Sequence, residues 1–170
     1  MFRQSAIRII ALTALMTGTA ISYAVWAGMS AENRYPGPTL DRSQDIAGPD
    51  ANGNGVRDDI DDYINGLPDT EPQKQALRQS YSTLRSLLLL DTTDTAAVVE
   101  GMRRSSASVA CMYANYSEDE AARLHQRLRE AESYSVNTRE RFMAYARFNS
   151  AASGHSMVLP KNGCEGGAKN

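Results

Sequence analysis

Oxygen-bearing side chains alternate with small residues between positions 50 and 61. The segment reads DANGNGVRDDID, so its first, third, fifth, ninth and twelfth positions carry a carboxylate or a carboxamide. These are the hard oxygen donors that Ca²⁺ collects into a shell of six to eight ligands. Glycine at the sixth position permits the sharp turn that wraps such donors around one ion. The spacing therefore predicts a calcium-binding loop.

The predicted ligands are five side chains and one backbone carbonyl: Asp50, Asn52, Asn54, Asp58 and Asp61, with the carbonyl of Val56. Asp58 would bind directly or through a water, and Asp61 would close the far side of the shell. A near-octahedral magnesium shell suits such a loop poorly, so the expected ion is Ca²⁺. The alternative is a polar turn that caps the next helix, because Asp, Asn and Gly all favour turns.

Residues 50–61 resemble the calcium loops of the EF-hand superfamily. They are most similar to the dockerin and thrombospondin type 3 variants, which also place Asp at the twelfth position. The resemblance covers this segment alone and implies a metal site, not the activity of any relative. Three prolines leave no entering helix before the loop: Pro36, Pro38 and Pro49. A single site closed by Asp implies weak binding, with a Kd of about 10⁻⁴–10⁻³ M, and a structural role for the ion.

Downstream of the loop, apolar residues recur with the period of a helix. Pro72 lies in the first turn of a helix whose apolar face is Leu77, Tyr81, Leu84 and Leu88. A second long helix is expected from about Asp91–Thr93 to Tyr116, with Val99, Met102 and Tyr113 among its apolar residues. Capping signatures at Ser117 and Asn137 start two more helices. Their expected inner faces are Ala121, Leu124, Leu128 and Ala131, then Phe142, Tyr145, Ala146 and Phe148.

These patterns predict an all-α protein, a small antiparallel bundle of about four long helices preceded by an export helix, an extended linker and the calcium loop. The predicted boundaries are a signal peptide or anchor over 1–27, a flexible linker over 28–49, the loop and its exit helix over 50–66, the bundle over 70–154, and an irregular tail over 155–170.

The N-terminus has the pattern of an export segment. Arg3 and Arg8 precede 23 uncharged residues, 9–31, and small residues at Val25 and Ala27 offer a cleavage site. A cleaved signal peptide is one interpretation. The other is a single membrane anchor at residues 9–31, because an apolar run of about 20 residues is long enough to span a bilayer. Both interpretations place the rest of the chain outside the cytoplasm, in the periplasm or the extracellular space.

The chain has two cysteines, Cys111 and Cys164. An even number in an exported protein favours a disulfide, which would tie the tail to a helix. The alternative is a pair of free thiols. Neither cysteine belongs to a CxxC motif or a Cys/His cluster, so the sequence does not support zinc binding or redox catalysis.

Composition narrows the classes of function. With 18 basic and 20 acidic residues the formal net charge is −2, which argues against a nucleic-acid-binding protein, and a mean hydropathy of −0.44 excludes a multi-span membrane protein. The acids cluster: residues 41–72 hold nine acids and two arginines.

His125 and His155 lack a hydrolase motif, and the arginines of the last two helices (Arg123, Arg127, Arg139, Arg141 and Arg147) are expected on a solvated surface.

We therefore expect a non-enzymatic, exported calcium-binding protein that acts as an envelope or extracellular interaction module through a partner that the sequence does not identify. The alternatives are a small periplasmic or secreted hydrolase, whose site the sequence does not reveal, and a membrane-tethered scaffold.

Overall fold

The computed structural model describes residues 37–165, which form five α-helices and no strand. They are α1 (Asp58–Gly66), α2 (Glu71–Leu88), α3 (Thr95–Asn115), α4 (Ala121–Ser135) and α5 (Arg139–Ala152). All five belong to the compact unit Pro38–Asn170. The all-α prediction is confirmed for this part of the chain. The predicted export segment over 1–27, like the alternative anchor over 9–31, lies outside the described residues.

Side-chain caps define where the helices begin. The Thr70 hydroxyl accepts from the Gln73 N–H, and the Gln73 side chain accepts from the Thr70 N–H, so a full capping box starts α2. Asp94 starts α3 by accepting from two backbone N–H groups, one turn later than the break we predicted at 91–93. Thr138 caps α5 through the N–H of Arg141. Within residues 37–165, no helix is long and apolar enough to cross a membrane.

Helix α2 lies at the centre and contacts each of the other four helices. Its predicted apolar face is buried at Leu77, Tyr81 and Leu88, and Leu84 is partly buried. A larger apolar cluster joins α2 to residues of α1, α3 and α4, and a smaller one joins it to α3 and α5. Ile60 and Ile64 of α1 are buried in the larger cluster as well.

The inner face of α5 differs from the predicted one. Phe148 is buried as predicted, but Phe142 is 55% exposed, and Arg141 and Ala144 face the interior in its place. The helix is turned by about one residue from the expected orientation because buried polar groups surround the Arg141 guanidinium. On α3, likewise, Val99 and Tyr113 are exposed, and the inner residues include Val98, Gly101 and Met112.

The segment before the loop was expected to be a flexible linker over residues 28–49. Its described part, 37–49, has no helix or strand, but it is attached to α5. Arg141 donates to the backbone carbonyls of Asp41, Asp45 and Ile46. The described part of this segment thus supplies the acceptors that the buried guanidinium requires.

The C-terminal tail is connected covalently to α3, as predicted. Cys111 and Cys164 form a disulfide with their Cα atoms 4.7 Å apart. The Gln79 side chain of α2 holds the chain on both sides of Cys164: its amide donates to the Gly163 carbonyl at 2.7 Å, and its oxygen accepts from the Glu165 N–H at 2.9 Å. The described tail residues, 155–165, are otherwise irregular.

Candidate metal site

The predicted calcium loop closes on itself and leads directly into α1. The Asp58 N–H donates to the Pro49 carbonyl at 2.9 Å, and the Ala51 N–H donates to Asp58 Oδ1 at 3.0 Å. Since α1 begins at Asp58, the ninth and twelfth loop positions belong to its first turn. The start of the helix thus carries Asp58 and Asp61 to the same end of the loop as Asp50.

Asp50, at the first loop position, has a carboxylate oxygen without a partner. Its Oδ2 atom accepts from the Gly55 N–H at 3.1 Å, and Gly55 makes this approach with φ at +82°, a conformation that glycine adopts readily. The Asp50 side chain is only 10% exposed, yet Oδ1 has no hydrogen-bond donor. Buried carboxylate oxygens are nearly always paired, so this atom, which has no donor among residues 37–165, is open to a cation or a water.

The third, fifth and twelfth positions meet through side-chain hydrogen bonds. The carboxamides of Asn52 and Asn54 donate to Asp61 Oδ2 at 3.2 and 2.8 Å. Their own oxygens accept from the backbone of Asn54 and Val56, and each keeps a second lone pair for a cation. Burial raises the pKa of Asp61, but the hydrogen bonds from Arg78, Asn54 and Asn52 outweigh burial and lower it, so the carboxyl is ionised at neutral pH.

The structure brings Asn52, Asn54 and Asp61 into hydrogen-bond contact, whereas Asp50 and Asp58 accept from the backbone N–H groups of Gly55 and Ala51. The donor set of carboxylates and carboxamides fits Ca²⁺. The Val56 side chain is buried in the larger apolar cluster, which fixes the loop at its seventh position. Within residues 37–165, no group of three or more His, Cys, Asp or Glu side chains is arranged to hold a metal ion. A cation here would accordingly depend on the Asn oxygens and the backbone as well.

A polar stripe of α2 supports the loop, and the sequence analysis missed it. Arg78 Nε donates to Asp61 Oδ1 at 2.8 Å, and Arg85 Nη1 lies 3.3 Å from Asp50 Oδ2. Between them, Ser82 lies so close to Gly55 that a methyl group there would be 2.6 Å from the Ser82 Oγ. Positions 78, 82 and 85 share one face of α2, because each follows directly after an apolar position of that helix. This regular placement of polar residues beside the apolar face could have predicted the stripe from the sequence.

A second polar cluster attaches the segment before the loop to α5. Arg141 is fully buried, and its Nη2 donates to Asp41 Oδ2 at 2.6 Å. The hydrogen bond from Arg141 lowers the pKa of Asp41 to about 2. Asp59 accepts from the Asp41 N–H and from both Nε and Nη2 of Arg57, each at 2.7 Å. This clasp of Asp41, Arg57, Asp59 and Arg141 fixes both ends of the loop.

A third cluster holds Arg127, which was also expected on a solvated surface. Arg127 is 5% exposed and bonds to the fully buried Asp69 at 2.7 Å and to Glu130 at 2.9 Å. The Tyr63 hydroxyl donates to the same Glu130 at 2.8 Å, and burial together with this bond raises the pKa of Tyr63. Each charge has an opposite partner, which indicates a structural role in joining α4 to α1 and the α1–α2 turn.

The two histidines lie apart from these clusters and are both exposed. His155 lines a cavity of about 370 Å³ together with apolar residues of α2, α3, α5 and the tail, among them Leu87, Met102, Phe148 and Met157. Among the residues that the structure describes, no carboxylate lines this cavity. The ring of His125 lies 6.5 Å from that of Tyr113, measured between centroids.

Comparison with known proteins returned no similarity: no family model, no curated protein and no solved structure matches the chain.

Proposed function

We propose that this is an exported calcium-binding helical protein in which one ion, held by residues 50–61, stabilises the fold. The observation that carries the proposal is the unpartnered Oδ1 of Asp50, because a nearly buried carboxylate oxygen with no donor suits a cation. The same loop presents carboxylate or carboxamide oxygens of Asn52, Asn54, Asp58 and Asp61, and a backbone carbonyl at Val56.

Local charge supports a structural role for the ion. Residues 41–72 carry nine acids and two arginines, and mutual repulsion among carboxylates opposes ordering of this region. A divalent cation would reduce that repulsion. The loop lies between the clasp and α2, so calcium would stabilise the attachment of the N-terminal segment to the helices by binding the folded state alone.

Export remains part of the proposal. The basic start, the uncharged run over 9–31 and the Cys111–Cys164 disulfide are all typical of proteins outside the cytoplasm. We further propose that the helices of residues 70–154 pack as an antiparallel bundle. Exposed apolar side chains suit an interaction module in the envelope or extracellular space: Val99, Tyr113 and Phe142 on the bundle, and Met157, Val158 and Leu159 in the tail that follows it.

Isothermal titration calorimetry with CaCl₂ tests the proposal. We expect one site per chain with a Kd of about 10⁻⁴–10⁻³ M. Asp50→Ala should abolish the binding heat. Asp62→Ala is the matched control, because Asp62 is an exposed acid of α1 just outside the loop, and it should bind calcium like the wild type. No heat from the wild type at millimolar calcium, or equal heats from Asp50→Ala and the wild type, would reject the site.

A further inference from the structure

We infer that Arg78, assisted by Arg85, sets the calcium affinity of the loop by occupying its carboxylates when the metal is absent. This inference rests on the proposed calcium site and concerns its regulation. The positively charged guanidinium groups of Arg78 and Arg85 compete with Ca²⁺ for Asp61 and Asp50.

The bonds of Asp61 show why the competition centres on Arg78. Asp61 is the residue that must close the metal shell, and both of its carboxylate oxygens are engaged. Arg78 Nε bonds to Oδ1 at 2.8 Å, and the carboxamides of Asn52 and Asn54 bond to Oδ2. Asp50, by contrast, keeps Oδ1 free, and its contact with Arg85 is longer at 3.3 Å. A cation thus finds one carboxylate available and the other held by Arg78.

Both arginines are anchored independently of the loop carboxylates. Arg78 also donates to the Asn65 side chain and to Glu71 at 3.2 Å, and Arg85 donates to the Ala47 carbonyl at 2.8 Å. Their side chains are only 20% and 24% exposed. A metal ion could displace the guanidinium from Asp61, but the positive charge would stay close by. The remaining repulsion lowers affinity for a divalent cation.

The same contacts hold the loop in place without metal. Arg78, Ser82 and Arg85 lie on one face of α2 and contact Asp61, Gly55 and Asp50 respectively. The twelfth, sixth and first loop positions are therefore fixed on the helix before any ion binds. Calcium that binds only the folded state stabilises it by an amount set by the ratio of the calcium concentration to the Kd, so the weak binding expected with Arg78 in place should give the wild type a small calcium response.

Isothermal titration calorimetry with CaCl₂ tests this inference. The Kd of the full-length Arg78→Gln variant is compared with that of the full-length wild type. Repulsion between a unit charge and a divalent ion about 4 Å apart in water corresponds to a factor of about thirty in binding, so removing Arg78 should tighten calcium binding about thirtyfold. The matched control is Arg103→Gln, because Arg103 is exposed on α3 and forms its ion pair with Glu100 of the same helix, away from the loop. It should leave the Kd unchanged.

The outcomes separate the inference from the calcium function itself. If neither the wild type nor Arg78→Gln binds calcium, both fail. If the wild type binds and Arg78→Gln binds equally or more weakly, the inference alone fails. If only Arg78→Gln binds, the inference holds, but the proposed calcium function of the wild type fails. Should circular dichroism show that Arg78→Gln is unfolded, Arg85→Gln replaces it, with a gain of several-fold expected and an unchanged Kd contradicting the inference.

Discussion

Arg141 places a positive charge in the interior of the molecule. The sequence pattern of its own helix does not predict this burial. Arg141 lies beside Phe142 in a segment whose aromatic residues suggested an apolar inner face, and its partners are about 100 residues away in sequence. Asp41 and three backbone carbonyls satisfy the guanidinium, so its burial is compensated by hydrogen bonds. A single arginine thereby turns α5 and attaches the N-terminal segment.

This pairing predicts an acid-sensitive contribution to stability. The pKa of Asp41 is lowered from 3.8 to about 2 in the folded protein, mainly by the hydrogen bond from Arg141. A depressed carboxyl pKa stabilises the folded state above the unfolded pKa, and the contribution is lost as the pH falls from about 4 to about 2. Since Asp41 is 21% exposed, we expect about 1–2 kcal/mol.

Urea unfolding at pH 6 and at pH 2 measures this contribution as the stability difference between the wild type and Asp41→Asn. The difference should be larger at pH 6 by about 1–2 kcal/mol. Asp62→Asn, an exposed acid on α1, should show no comparable pH-dependent difference. An Asp41→Asn difference that is the same at both pH values would mean that Arg141 does not stabilise the ionised carboxylate.

Among the elements, the tail after α5 depends on a close backbone contact as well as on the disulfide. A methyl group at Gly163 would lie 1.9 Å from the Ala107 carbonyl oxygen of α3. No side chain can be accommodated there unless the tail moves, and the bond between Cys164 and Cys111 prevents a large movement. Glycine at this position is thus required by the packing of the tail against α3.

We predict that Gly163→Ala destabilises the protein by about 2–3 kcal/mol more than Gly154→Ala. Gly154 is the matched control, because its φ of +86° strains an alanine but no atom lies within 4 Å of the added methyl group. The free energy of unfolding of each variant, with the disulfide intact, provides the measurement. Equal losses would show that the tail does not pack closely against α3.

At the scale of the whole molecule, local sequence signals predicted the helices, whereas the connections between them depended on distant charges. The capping box at Ser117 and the apolar face of α2 are patterns within one helix, and each is present in the structure. The buried positions of Arg127 and Arg141 result from partners in other elements. Helical periodicity alone assigns such long charged side chains to the surface, because buried arginines are rare without a partner.

The candidate site likewise combines a local sequence pattern with contacts from residues distant in sequence. The ligand spacing of residues 50–61 is local, and within that set the structure joins Asn52 and Asn54 to Asp61 by hydrogen bonds. The arginines that engage Asp50 and Asp61 belong to α2, and nothing in the loop sequence indicates them. The oxygen ligands of the loop could be predicted from the sequence. The conformation of the loop, however, depends on how α2 packs against it.

A crystal structure tests most directly whether residues 50–61 bind calcium. The crystals would be grown with 10 mM CaCl₂, and anomalous differences would be collected to locate the calcium ion. The account predicts an anomalous peak inside the loop of residues 50–61, at about 2.3–2.6 Å from Asp50 Oδ1 and from the oxygens of Asn52, Asn54, Val56 and Asp61. A loop without an anomalous peak, with only water or a protein donor at Asp50 Oδ1, would contradict it.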